Sequence, residues 1–157
     1  MAPVKPMNKE HKISPPLWED EWFRLEASTE CTVPGYLVLR VKGPTASLGR
    51  LAPEAARRLG AVLARVAAAI EAATGAERVY VLSFCEVDPH LHFHLFPRAR
   101  WLAETWRLAH PGAGEPVDGP RLFTWARAEY APGRPLPTVF PEPAAVFDLL
   151  RRRLSGN

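Results

Sequence analysis

The chain has 157 residues, of which 47% are hydrophobic, and it carries a formal net charge of +3. A chain of this size can bury a proper core and needs no disulfides or metal to fold, so we expect one domain over residues 1–157. Its basic residues are scattered, which favours small anions as partners and argues against the continuous basic stripe of proteins that bind nucleic-acid polymers.

No targeting signal or disulfide framework is evident in the sequence. Residues 1–12 are polar and lack an apolar run, so they fit neither a signal peptide nor a membrane anchor. No other window contains the roughly 18 apolar residues of a membrane-spanning helix. Cys31 and Cys85 form no C-x-x-C pair and are expected to be buried, reduced thiols. Together these features predict a cytoplasmic protein with no membrane partner.

Two strands are predicted before the first helix. They are Glu21–Ala27 and the β-rich run Tyr36–Val41, which follows a Pro-Gly pair. A long alanine-rich helix then begins near Pro53, a residue suited to the first helical turn, and ends at Gly75. Its apolar residues recur at helical spacing and predict one buried face: Leu59, Val62, Leu63, Val66 and Ile70.

A third strand is predicted at Arg78–Phe84, and the histidine-rich run considered next forms a fourth. Beyond residue 100 the pattern weakens to a short helix at Trp101–Ala109, a Gly/Pro loop at Pro111–Pro120, and a segment, Phe123–Tyr130, that fits strand or helix equally. A last helix is predicted at Pro143–Leu154. The order strand, strand, helix, strand, strand predicts an α+β domain around an antiparallel sheet.

The most informative segment is DPHLHFHLFPR, residues 88–98, which holds three of the five histidines. In an extended strand successive side chains alternate, so His90, His92 and His94 would share one face and the intervening apolar residues the other. Each imidazole prefers to be neutral or to have a partner near pH 7. Placing three of them side by side therefore costs free energy, which is expected only where a site uses them. The run therefore predicts a strand that forms the floor of an active site.

The pattern His-φ-His-φ-His followed by two apolar residues, where φ is apolar, resembles the signature of the histidine triad (HIT) superfamily of nucleotide hydrolases and transferases. Residues 90–96 match it at every position. Upstream, Pro34–Leu39 (PGYLVL) resembles the Pro-Gly-His-Leu-φ-φ strand of that family, and the helix from Pro53 lies where its long helix should. The resemblance, in particular to bacterial diadenosine polyphosphate hydrolases, covers a core of about 18–100 and leaves an extension of about 101–157 unmatched.

The resemblance implies an antiparallel sheet with a long helix and a C-terminal helix, and a homodimer whose sheets join, with a nucleotide pocket on each protomer. No cofactor is expected, and the even spacing of the histidines together with the missing N-terminal Cys pair predicts a triad without metal. His92 would attack the α-phosphorus of a nucleoside phosphoanhydride or phosphoramidate, giving a nucleotidyl-histidine that water hydrolyses. His90 and His94 would orient the nucleophile and stabilise the phosphoryl oxygens. A cationic neighbour would lower the pKa of the nucleophilic imidazole and keep one of its nitrogens unprotonated.

The chain departs from the family pattern at positions that would contact substrate. Tyr36 stands where many members have histidine, and residues 85–88 (CEVD) replace a polar Gln or Ser before the triad. Glu26 or Ser28 would take the part of an Asn or Asp that contacts ribose. Arg98 is a candidate for phosphate, although a strand-end arginine or an interface ion pair explains it more simply. The candidate substrate-binding residues are Glu26, Ser28, Tyr36, Glu86, Asp88 and Arg98.

Several alternatives stay open at the level of sequence. The departures are compatible with a non-catalytic nucleotide-binding protein. Zinc can take two histidines at i and i+2 of a strand, and Glu86 and Asp88 share the parity of the triad, but His90 and His94 lie ~13 Å apart along an extended chain. Asp88 can also simply orient His90. Three indoles can stack on a base or close a core: Trp101, Trp106 and Trp125.

Overall fold

The computed structural model describes residues 15–137 and 141–156, so the N-terminal segment 1–12 lies outside the described residues. Within these ranges the strands are β1 (Trp18–Glu19), β2 (Phe23–Ala27), β3 (Leu37–Val41), β4 (Ala76–Leu82) and β5 (His92–Ala99). The helices are α1 (Pro53–Thr74), α2 (Arg100–Ala109), α3 (Gly119–Glu129) and α4 (Pro143–Ser155), with a 3₁₀ turn at Leu48–Arg50. No helix in the described ranges is both long and apolar enough to cross a membrane.

The strands form one antiparallel sheet in the order β1-β2-β3-β5-β4, which confirms the predicted α+β class. β5 lies between β3 and β4 and is therefore hydrogen-bonded along both edges. His92 is paired with Arg40 of β3, and His94 is paired with Val38 of β3 and with Leu82 of β4. The histidine strand is thus a central strand whose position is fixed from both sides.

One face of the sheet packs against α1 and α4 and forms the larger hydrophobic core. Phe93 and Leu95 point to this face, as the alternation of β5 predicts. The predicted apolar face of α1 is confirmed, with Leu63 partly buried and the others fully buried: Leu59, Val62, Val66 and Ile70. Pro53 stands in the first turn of α1, and Gly75 ends the helix in a left-handed conformation (φ +66°).

Gly35 lets the chain entering β3 pass close to the end of α1. Its φ is +83°, and a Cβ built there would lie 2.5 Å from Thr74 Cγ2. An L side chain would therefore meet both backbone strain and a steric clash. The Pro-Gly pair before β3 is thus a packing requirement of the fold.

The opposite face of the sheet is covered only in part. Helices α2 and α3 pack over Tyr36 and Phe96 and form a second, aromatic-rich cluster, and the remainder of the face stays open. The segment Phe123–Tyr130, which fitted strand or helix, forms the later part of helix α3, with Tyr130 as the residue that caps its C-terminus. The Asp118 side chain caps that helix by accepting from the backbone N–H of Arg121 at 3.1 Å.

The predicted bounds of three strands differ from the structure, and the strand predicted at Tyr36–Val41 begins one residue later, at Leu37. The first strand begins at Phe23 rather than Glu21, because the Asp20 carboxylate accepts from the N–H groups of Trp22 and Phe23, both at 2.8 Å, and so makes a turn between β1 and β2. The strand predicted at Arg78–Phe84 spans Ala76–Leu82, because the chain enters it directly from Gly75.

Candidate active site

The open part of the second sheet face is the floor of a pocket of about 540 Å³, a volume typical of small-molecule sites. The floor is built from alternate residues of β3 and β5: Val38, Arg40, His92 and His94. The segment 84–90 forms one wall, and the segment 26–30 forms another together with Arg127 of α3. The pocket therefore has His92 and His94 at its base and charged side chains around them.

His92 is almost completely buried, with 7% of its surface exposed, and its ring orientation is fixed. Its Nδ1 lies 2.8 Å from the carbonyl oxygen of His90. A carbonyl only accepts hydrogen bonds, so the neutral ring carries its proton on Nδ1 and leaves the lone pair on Nε2. The Sγ of Cys85 lies 3.7 Å from the same Nδ1, and Ser83 Oγ donates to the His92 carbonyl at 2.8 Å.

His94 lies beside His92, with the two rings edge to face and their centroids 5.0 Å apart. Its Nδ1 is 2.7 Å from the hydroxyl oxygen of Tyr36. Burial, followed by the charge of His92, lowers the pKa of His94 to about 4. Burial also raises the pKa of Tyr36 to about 12. Both side chains are therefore neutral at pH 7. Repulsion by a cationic neighbour was expected to lower the pKa of the nucleophile, His92, but here it lowers the pKa of His94, and burial lowers that pKa more.

The prediction that all three histidines share a strand is wrong for His90. Strand β5 begins at His92, and His90 lies in the preceding bend with 65% of its side chain exposed. The Asp88 carboxylate accepts from the backbone N–H of His90 at 3.1 Å and from its Nδ1 at 2.9 Å, which bends the chain locally. His90 still lines the pocket, but it does so from the wall rather than from the floor.

A chain of ion pairs connects that wall to the floor. Arg40 donates to Asp88 at 2.7 Å and to Glu26 at 3.1 Å, and Glu26 also accepts from Arg24 at 2.6 Å. Burial would raise the pKa of Asp88, but the hydrogen bonds from His90 and Arg40 outweigh it and lower that pKa to about 2. Asp88 is therefore ionised throughout the neutral range and holds His90 against Arg40.

No family model and no curated protein matches this sequence. Solved structures do match its fold. A hypothetical histidine triad nucleotide-binding protein from Sulfolobus tokodaii superposes with a TM-score of 0.57 at 17% identity, over 90% of this chain and 83% of the other. A histidine triad protein from Marinobacter aquaeolei gives 0.57 at 18%, over 89% and 88%. A zinc-bound histidine triad family protein from Mycobacterium smegmatis gives 0.52 at 19%, over 90% and 86%.

The chain has the histidine triad fold. Five of the six candidate substrate-binding residues belong to its pocket region: Glu26, Ser28, Glu86 and Asp88 line the pocket, and Tyr36 lies beneath His94. Arg98 does not reach it. Phe96, buried under α3, separates Arg98 from His94 along β5, and Arg98 instead pairs with Glu77. Arg98 therefore makes an ion pair within its own chain near the end of β5.

The three candidate indoles pack in the α2–α3 cluster and do not line the pocket: Trp101, Trp106 and Trp125. Trp106 is fully buried and stacks on His110 at 5.2 Å, and Trp101 and Trp125 both pack edge-on against Tyr130. Among the described residues, no group of three or more His, Cys, Asp or Glu side chains is arranged to hold a metal ion.

The expectation of two buried thiols holds for Cys31 and is wrong for Cys85. Cys85 has a left-handed backbone (φ +56°) in the turn after β4, and it lines the pocket half-exposed beside His92. Sequence reasoning also missed two pocket cations, Arg40 and Arg127. Arg40 had a visible signal, because it is the one charged residue of an otherwise apolar strand, LVLRV. Arg127 had none, since its segment fitted strand or helix equally.

Proposed function

We propose that this protein is a nucleotidyl hydrolase or transferase in which His92 forms a covalent bond to the α-phosphorus of a nucleoside phosphoanhydride or phosphoramidate. The observation that carries the proposal is the hydrogen bond from His92 Nδ1–H to the His90 carbonyl, which leaves the Nε2 lone pair free at the base of the pocket. The fold shared with a protein described as nucleotide-binding supports a nucleotide as the ligand.

In the first step the His92 Nε2 lone pair attacks the α-phosphorus, a P–N bond forms, and the bond to the leaving group breaks with its electron pair. A phosphate leaving group departs as an anion, whereas an amine takes a proton from solvent and departs as a neutral molecule. The ring now carries a positive charge, and the His90 carbonyl stabilises it because the Nδ1–H bond is already in place. In the second step water attacks phosphorus and releases a proton to solvent, the P–N bond breaks, and its electron pair returns to Nε2. An acceptor alcohol or phosphate in place of water would give a transferase.

The phosphate oxygens require positive partners, and two guanidinium groups of the pocket are the candidates. Arg40 lies across from His92 on the neighbouring strand. Arg127 extends from α3 over the ring of Phe123, 5.5 Å from its centroid, and pairs with Glu30. Its Nε is buried and has no hydrogen-bond partner among the described residues. We assign to Arg127 the phosphate-binding role that the sequence suggested for Arg98, and we assign ribose contacts to Ser28 and Glu26.

We also propose that the protein is a homodimer joined along β4. This strand has seven residues and lies at one end of the sheet, so its outer edge is unpaired. An exposed edge of this length is an aggregation hazard that pairing with a second copy removes. Apolar side chains are exposed on β4 and in the segment after it: Val81, Phe84 and Val87.

The test is turnover of a panel of adenosine and guanosine phosphoramidates and dinucleoside polyphosphates by the wild type and by His92→Asn, with AMP binding measured by calorimetry. Loss of a covalent route is worth several orders of magnitude, so we expect His92→Asn to lose at least about 1,000-fold in kcat while still binding AMP. Binding of AMP by the wild type without turnover of any substrate would instead indicate a non-catalytic nucleotide-binding protein. Equal turnover by both proteins would refute the proposal.

A further inference from the structure

The side chain of Tyr36 is buried beneath His94, and neighbouring aromatic rings hold its ring in place. Only 1% of its surface is exposed, and Phe96 and Phe123 contact it edge-on at centroid distances of 5.2 and 6.2 Å. Its hydroxyl oxygen lies 2.7 Å from His94 Nδ1.

The surroundings of this hydroxyl decide the direction of the hydrogen bond. Among the described residues, His94 Nδ1 lies at hydrogen-bond distance from the Tyr36 hydroxyl, whereas the nearby Ser28 hydroxyl accepts from the backbone N–H of Glu30 at 3.3 Å. If His94 Nδ1 donated to Tyr36, the buried phenol proton would be left without an acceptor. Unpaired buried donors are costly, so the proton of Tyr36 goes to His94 Nδ1.

We propose that Tyr36 is a positioning residue that fixes His94 as the tautomer with its proton on Nε2, so that His94 presents a permanent hydrogen-bond donor to the pocket. The two histidines of the floor would then be opposite tautomers. His92 offers a lone pair at Nε2, and His94 offers an N–H at Nε2. The catalytic consequence rests on the proposed function, but the tautomer itself does not.

The opposite tautomers suit a phosphoryl-transfer site. If His94 carried its proton on Nδ1, a lone pair would face the anionic phosphate oxygens and repel them. Burial raises the pKa of Tyr36 to about 12 and lowers that of His94 to about 4, so neither partner changes charge between roughly pH 5 and 10. The donor is therefore available throughout this pH range.

The test compares Tyr36→Phe with Tyr80→Phe. Tyr80 is the matched control, because it also contacts Phe96, with stacked rings 6.3 Å apart, but it lies on β4 and does not line the pocket. Nitrogen-15 NMR of histidine-labelled protein reports the tautomer of His94 directly. We expect a single tautomer protonated at Nε2 in the wild type and in Tyr80→Phe, and a mixture in Tyr36→Phe.

Kinetics supply the second measurement. We expect kcat of Tyr36→Phe to fall on the order of tenfold with KM nearly unchanged, and its pH profile to move because His94 loses a partner that favours its neutral form. Tyr36→His, which restores a ring N–H donor, should recover part of the loss. A wild-type His94 protonated at Nδ1, or a Tyr36→Phe variant with an unaltered tautomer, would overturn the inference. A fixed Nε2–H tautomer in a protein that turns over no nucleotide would refute the proposed function and leave the role of Tyr36 standing.

Discussion

Acidification should destabilise this protein through His94. The fold holds the pKa of His94 at about 4, whereas an unfolded chain has the ordinary value of 6.5. Between these values the unfolded chain binds a proton that the folded chain does not, so the free energy of unfolding falls as the pH decreases. The loss starts near pH 6.5 and is complete below about pH 4. Asp88, whose pKa is lowered from 3.8 to about 2, adds a loss in the same direction only in the more acidic range.

The two pKa values of His94 fix the magnitude. Lowering the pH from 7.5 to 5 should reduce the free energy of unfolding by about 2 kcal/mol, and complete protonation by about 3 kcal/mol, at 1.36 kcal/mol for each unit between the two pKa values. These figures are upper values, because the His94 ring is only half-buried and partly faces the pocket. A loss of about 2 kcal/mol is a large share of the stability of a domain of this size.

The assay is urea unfolding followed by tryptophan fluorescence at pH 7.5, 6.5, 5.5 and 5. His94→Gln removes the titrating group, so its free energy of unfolding should change with pH by about 2 kcal/mol less than that of the wild type. The comparison uses the difference between pH values, so any constant cost of the substitution cancels. A variant with the same pH dependence as the wild type would show that His94 is not the group responsible.

Three further predictions concern packing, phosphate binding and assembly. Gly35→Ala should lower the free energy of unfolding by about 2 kcal/mol or more, because alanine at this position meets left-handed backbone strain and a steric clash. Gly60→Ala on the exposed side of α1 should instead raise the free energy of unfolding by about 1 kcal/mol. Equal effects of the two substitutions in urea unfolding would contradict this account of Gly35. Arg127→Gln should weaken AMP binding about tenfold in calorimetry and leave the affinity for adenosine unchanged, because adenosine has no phosphate. Arg98→Gln should change neither affinity. An unchanged AMP affinity in Arg127→Gln would show that Arg127 does not bind the phosphate. Light scattering at micromolar concentration should give the mass of two chains, and a monomer mass would exclude the proposed pairing along β4.

The parts of this structure that follow local rules could be predicted from the sequence. The alternation of β5 places His92 and His94 opposite Phe93 and Leu95, and α1 runs from its proline to its terminal glycine. These features depend on the period of a strand or a helix and on the backbone preferences of single residues.

Features that depend on a side chain meeting a distant or folded-back partner could not be predicted. The Asp88 carboxylate bends the chain and removes His90 from the strand. Helix α3 buries Phe96, which separates Arg98 from the pocket, and the same helix brings in Arg127. Tyr36 visibly departs from the histidine triad pattern in the sequence, but its contact with His94 depends on how β3 and β5 pair.

The central claim is that His92 becomes nucleotidylated, and a mass measurement tests it most directly. The protein is mixed with adenosine phosphoramidate, quenched with denaturant at alkaline pH within one turnover, and digested for peptide mapping. We predict one acid-labile adenylyl group per chain on His92, and none on His90, His94 or Cys85. An adduct on any other residue, or turnover without an adduct at any quench time, would contradict the mechanism.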